Sequence, residues 1–97
     1  MAAGSSISEV ASDNNYSQKC LTIQSGQSYR LTLNNKGLAV HNLHVTNVKG
    51  TDGKDIATPL TDPGKTSSLT FSIAKPGTYS FRCDVHPAEM IGTLTVT

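Results

Sequence analysis

The sequence predicts an all-β domain, an antiparallel β-sandwich with Greek-key connections. Three observations predict it. From Lys19 to the carboxyl end, apolar and polar residues alternate with period two, the mark of half-buried strands. Turn signals punctuate that alternation at Ser25-Gly26-Gln27, Asn35-Lys36-Gly37, Asp62-Pro63-Gly64 and Lys75-Pro76-Gly77. No segment keeps a 3.6-residue apolar period. A chain of 97 residues has room for one core, which about six or seven short strands and one long connection would enclose.

Residues 1–6 read as a tether or tag remnant, with the domain running over residues 7–97. Those six residues are expected to be a disordered terminus; the chain stays small and polar through Asn15, where Ile7 and Val10 suffice for a short edge strand at most. Leu21 and Ile23 then share one face, with Cys20, Thr22 and Gln24 on the other. After the next turn, Tyr29, Leu31 and Leu33 alternate with Arg30, Thr32 and Asn34. Asn35-Lys36-Gly37 ends that strand, with Gly37 expected to take the positive φ of a tight turn. A fourth segment places His41, Leu43 and Val45 on one face and Asn42, His44 and Thr46 on the other.

Residues 49–66 are the least regular. Thr51-Asp52-Gly53 and Asp62-Pro63-Gly64 are turn signals, the second suited to a type II turn. Ile56 and Leu60 are expected to pin this connection to the body, while Lys49, Asp52, Lys54 and Asp55 read as a solvated face. Leu69, Phe71 and Ile73 alternate next. Beyond Lys75-Pro76-Gly77-Thr78, the residues Tyr79, Phe81 and Cys83 point inward, and Leu94 and Val96 line the last strand.

Composition excludes several classes. A formal charge of +1 leaves no basic stripe for nucleic acid. No run approaches the roughly 18 to 20 apolar residues that cross a bilayer, and no secretory signal is visible. The two cysteines could form one disulfide, but parity points Cys83 inward and Cys20 outward, so Cys20 is expected as a free, partly exposed thiol without a role in any site.

One stretch carries concentrated chemistry: Phe81-Arg82-Cys83-Asp84-Val85-His86-Pro87-Ala88-Glu89-Met90. It joins a thiol, an imidazole and a thioether on the loop between two strands. A second imidazole is needed, and His41, inward by parity, supplies it. A thiolate, two imidazoles and a weak axial thioether form a ligand set that suits copper in both Cu(I) and Cu(II). The candidate ligands are therefore His41, Cys83, His86 and Met90, with Glu89 a competing axial oxygen donor. Asn42 is placed to hydrogen-bond across to the Cys83 loop. His44 faces outward and reads as structural. Structural zinc would want paired Cys or His spacings that are absent, a dinuclear copper centre would want a second cysteine in the loop, and a Cys83–His86 nucleophilic pair lacks any suggested oxyanion site.

These residues also carry a family resemblance. Asn34-Asn35-Lys36-Gly37, His41-Asn42, Tyr79-Ser80-Phe81-Arg82-Cys83-Asp84-Val85-His86-Pro87, Met90 and Gly92-Thr93-Leu94 resemble the cupredoxins, the plastocyanin, amicyanin and pseudoazurin group, over roughly residues 16 to 97. The resemblance implies a cupredoxin-type Greek-key sandwich, one type 1 (blue) copper ion per chain, and single-electron transfer between protein redox partners rather than enzymatic turnover. It also implies a monomer outside the cytoplasm, periplasmic or at the cell surface. Three residues separate His86 from Met90, against four in plastocyanin-like members and two in amicyanin, so neither potential nor partner carries over. Partners would dock near the His86 edge, with Leu38, Ala39, Pro87 and Ala88 as the rim. Two other readings stand beside the electron carrier: a copper-binding or delivery module, and an excised domain of a larger membrane-anchored oxidase or reductase.

Overall fold

A computed structural model describes residues 6–12, 15–86 and 89–97. Alternation along the chain becomes alternation in burial. In β4 (Tyr29–Asn35), Tyr29, Leu31, Leu33 and Asn35 are buried while Arg30 faces solvent. In β3 (Cys20–Ile23), Leu21 and Ile23 are buried and Cys20 and Thr22 exposed. Both cysteines are free thiols, Cys20 exposed and Cys83 buried, as parity requires.

The described residues form nine strands in two sheets and no helix. One sheet has the order β2-β1-β4-β7, with β1 (Ser6–Ser12), β2 (Asn15–Tyr16) and β7 (Thr66–Phe71). The other has the order β3-β9-β8-β5-β6, with β5 (His44–Lys49), β6 (Asp55–Ala57), β8 (Gly77–Arg82) and β9 (Ile91–Val96). The inner faces close on Leu31, Leu33, Leu43, Ile73, Phe81 and Leu94, none more than 1% exposed. Each such side chain contributes about 1.5–3 kcal/mol on burial.

Several expectations are corrected. The sheets are mixed rather than antiparallel: β1 runs parallel to β4 and β3 parallel to β9. The chain changes sheet between β2 and β3 and again between β3 and β4, so strands far apart in sequence become neighbours. Side chains alternate with the same period in both orientations, so the sequence could not separate them. The stretch Ser6–Ser12 is a seven-residue strand between β2 and β4, not an edge strand. Its inward face carries Ile7, Glu9 and Ala11, not Val10. Register against β4 supplies what local hydrophobicity lacks, pairing Ile7 with Leu31 and Glu9 with Leu33. Ser6, the last residue of the expected tether, opens this strand; residues 1–5 lie outside the described residues.

The long connection holds β6, whose Ile56 is buried, but Leu60 is 62% exposed and pins nothing. Thr58 and Thr61 are buried in its stead. The Asp62-Pro63-Gly64 turn forms as expected, with Gly64 at φ 77° and the Lys65 N–H donating to the Asp62 carbonyl at 3.0 Å.

Gly92 pairs with Phe81 across β8 and β9. A Cβ there would lie 2.2 Å from Phe81 Cζ and 2.7 Å from the Lys19 carbonyl oxygen. Only glycine lets the Phe81 ring cover the neighbouring strand.

Candidate metal centre

Two segments converge on one cluster of donors. The first leads from β4 to β5 and presents His41. Asn35 ends β4 fully buried, and its side chain shapes the turn. Its Oδ1 accepts the Gly37 N–H at 2.9 Å, and its Nδ2 donates to the Ala39 and Thr61 carbonyls at 2.8 Å each. Gly37 is therefore absent from the positive-φ glycines, which are Gly26, Gly53, Gly64 and Gly77 among the described residues. An amide side chain does the work expected of a left-handed backbone. Thr61 then pairs with His41, the His41 N–H donating to Thr61 O at 3.1 Å and the Thr61 N–H to His41 O at 2.8 Å. The irregular connection thus fixes the backbone that carries the first imidazole.

The second segment leaves β8 at Cys83 and returns at Met90. The Cys83 N–H donates to Met90 O at 3.0 Å, closing the neck of the loop. Inside it, the His86 N–H donates to Cys83 O at 3.1 Å, and the Glu89 and Met90 N–H groups donate to His86 O at 3.2 and 3.0 Å. Cys83 and Met90 are both wholly buried.

The donors meet between the segments. Cys83 Sγ lies 3.8 Å from His41 Nδ1 and 3.9 Å from His86 Nδ1. All three donor atoms lie within 4.8 Å of one another. The imidazole centroids are 5.1 Å apart with planes at 48°. A triangle of that size accommodates one ion at ordinary metal–ligand lengths of about 2.0–2.3 Å. His41 and Cys83 are fully buried and His86 is half-buried, so His86 is the most solvent-accessible residue of the three. The cluster offers two nitrogens and one sulfur, soft donors that suit copper. Glu89 is exposed and outside this cluster.

Asn42 reaches across as expected. Its Nδ2 donates to Asp84 Oδ2 at 3.0 Å, and its Oδ1 accepts the Asp84 N–H at 2.8 Å. Asp84 also pairs with His44 Nδ1 at 3.1 Å and Arg82 Nε at 3.2 Å. Partial burial pushes the Asp84 carboxyl up, but the bonds from Asn42, His44 and Arg82 outweigh it and hold it below its ordinary value. His44 is thus a structural residue outside the donor cluster.

One contributor escaped the sequence reading. Tyr16 is 2% exposed, its hydroxyl donates to the Asn42 carbonyl, and its ring lies 5.3 Å from that of Phe81 at 60°. Its only local signal was one aromatic residue amid polar ones. Of the expected rim, Leu38 is 88% exposed and Ala39 half-buried; Pro87 and Ala88 lie outside the described residues. Val85 and Leu60 add exposed apolar surface.

The model of the cupredoxin-like domain family matches residues 2–96. The chain belongs to the cupredoxin-like domain family. That match includes β1, beyond the stretch whose motifs first carried the resemblance. Among solved structures, dithionite-reduced auracyanin from Roseiflexus castenholzii is 28% identical, with a TM-score of 0.82 over 96% of this chain and 97% of that one. Auracyanin A from Chloroflexus aurantiacus, described as a "blue" copper protein, shares the fold at 21% identity, with a TM-score of 0.80 over 95% and 98% of the two chains. A reduced Cu(I) amicyanin variant is 25% identical, with a TM-score of 0.69 over 95% and 82%. No curated protein matches the sequence. The cupredoxin likeness agrees with the two-sheet, all-β architecture and with the donor cluster. No helix among the described residues is long and apolar enough to cross a membrane.

Proposed function

We propose that this cupredoxin holds one copper ion through His41, Cys83, His86 and Met90 and carries single electrons between protein redox partners. The observation that supports this most is the convergence of Cys83 Sγ with two imidazole Nδ1 atoms at 3.8 and 3.9 Å. Bound copper supplies a one-electron couple between Cu(I) and Cu(II). The chain supplies the rest. Cys83 offers a thiolate from a position closed to water, His41 is fixed by its bridge to Thr61, and Met90 seals the loop neck. Held this tightly, the donors resist rearrangement, which keeps the cost of changing oxidation state small. Burial of His41, Cys83 and Met90 favours a carrier that retains its metal over a module that hands it on.

Electrons pass at the half-buried His86, where partners meet its exposed neighbour Val85 and the exposed Leu38 of the loop before His41, in brief encounters at the small end of interface sizes. The setting is periplasmic or at the cell surface, as is usual for the family, and the protein acts as a monomer. The test is a visible spectrum after adding Cu(II) to the metal-free protein. A strong thiolate-to-copper band at one copper per chain, lost in Cys83→Ala and shifted in Met90→Ala, is expected. Absence of the band overturns the reading. Transfer of Cu(I) to a competing apo-protein during redox cycling would favour delivery instead.

A further inference from the structure

His41 and Cys83 stand 42 residues apart in the sequence, and a third element touches both of their segments. Tyr16 lies in β2, a two-residue strand paired with Ser12 and Ala11 of β1. Its hydroxyl donates to the carbonyl of Asn42, the residue after His41. Its ring packs 5.3 Å from Phe81, two residues before Cys83. The Asn42 side chain is already occupied by Asp84, and the Leu43 N–H donates to Thr58 Oγ1 at 2.9 Å. The Tyr16 hydroxyl therefore holds the remaining acceptor of Asn42.

β2 is itself well anchored. The Ser17 N–H donates to Val10 O at 2.8 Å, and Ser17 Oγ accepts the Val10 N–H at 3.0 Å while donating to buried Glu9 Oε1 at 2.8 Å. The Gln18 N–H also donates to Glu9 Oε1, at 2.7 Å. The antiparallel pairing of β2 with β1, together with these bonds, thus carries the tyrosine to the centre. Burial first, and then the nearby charge of Cys83, push the Tyr16 hydroxyl far above its ordinary value, so it stays a donor.

We propose that Tyr16 is a positioning residue of the metal centre, fixing the His41 segment against the Cys83 segment through its hydroxyl and ring. The proposal rests on the copper reading above. Loss of an outer-shell partner typically weakens metal affinity about 10–100-fold.

The test compares native protein, Tyr16→Phe and Tyr79→Phe, the last removing a hydroxyl that donates to Lys75 O away from the centre. Cu(II) affinity is read by chelator competition, with the thiolate-to-copper band alongside and urea unfolding of each metal-free form. Tyr16→Phe is expected to bind Cu(II) about tenfold more weakly with a shifted band, and Tyr79→Phe to match native on both. Unchanged affinity and band in Tyr16→Phe, whatever its stability, would make the residue core packing alone and overturn the proposal. If Tyr16→Phe does not fold, 3-fluorotyrosine incorporation keeps the ring and makes the hydroxyl a stronger donor. A shifted band then supports the proposal, and an unmoved band overturns it. Native protein with no band at all overturns the copper reading and this proposal together.

Discussion

Asn42 and Asp84 are tied by two antiparallel hydrogen bonds, the amide donating at 3.0 Å and the Asp84 N–H returning one at 2.8 Å. One residue follows His41 and the other follows Cys83, so the tie sets the separation of two donors. Removing it leaves the Asp84 N–H without its acceptor, a loss of about 1–3 kcal/mol when such a group is screened from water. Asn42→Ala should lower the stability of the metal-free protein by that amount in urea unfolding. An unchanged midpoint would show that the tie carries no load.

Asn35 makes three hydrogen bonds from a fully buried side chain. Asn35→Ala removes the amide donor to the Ala39 carbonyl, leaves the Thr61 carbonyl with the His41 N–H alone, and frees the Gly37 turn. A loss of about 3 kcal/mol is expected, with faster amide exchange at His41 and Thr61 than elsewhere in the sandwich. Uniform exchange across the chain would contradict this local role.

Gly92→Ala places a methyl 2.2 Å from Phe81 Cζ and 2.7 Å from the Lys19 carbonyl. The ring can turn, but the backbone oxygen between β3 and β9 cannot easily withdraw. Overpacking of this kind costs about 1–3 kcal/mol, measured as a lowered unfolding midpoint. Phe81 also packs on Tyr16, so the thiolate-to-copper band should shift in the same variant.

Glu9 is fully buried, and its Oε2 has no hydrogen-bond partner among the described residues. Burial raises its carboxyl above the ordinary value, against the bonds from Gln18, Ser17 and Val10 that lower it. The folded state therefore holds this proton more tightly than the unfolded chain does. Glu9's contribution is fully present below the ordinary carboxylate value and is lost as pH rises through the raised one. Urea unfolding across that window should show native protein losing stability relative to Glu9→Gln as pH rises. Parallel pH profiles for the two would refute the assignment.

How much was legible in the sequence follows from which forces act locally. Strand faces were legible because alternation needs no knowledge of neighbours: Leu21, Ile23, Leu31, Leu33, Phe81 and Leu94 point inward as read. The donor cluster was legible because two of its members, Cys83 and His86, sit on one short loop whose chemistry is unusual. The inward parity of His41 added the third, and the convergence of His41 with Cys83 and His86 agrees with it.

Other features depend on contacts between distant segments. β1 holds a buried glutamate and too few apolar residues to be read as an inner strand, yet parallel pairing with β4 makes it one. The turn after β4 is shaped by the Asn35 amide rather than by Gly37, because the carbonyls it binds come from Ala39 and Thr61. Leu60 projects outward while its neighbour Thr61 holds His41. By itself the sequence determined the faces of the strands and the chemistry of the donors, since both follow from residue type and spacing. Only the tertiary structure decided strand direction, the buried amino-terminal strand, and the place of Tyr16 against both donor segments. Those depend on which distant backbone groups come within hydrogen-bonding range, and no local pattern encodes that distance.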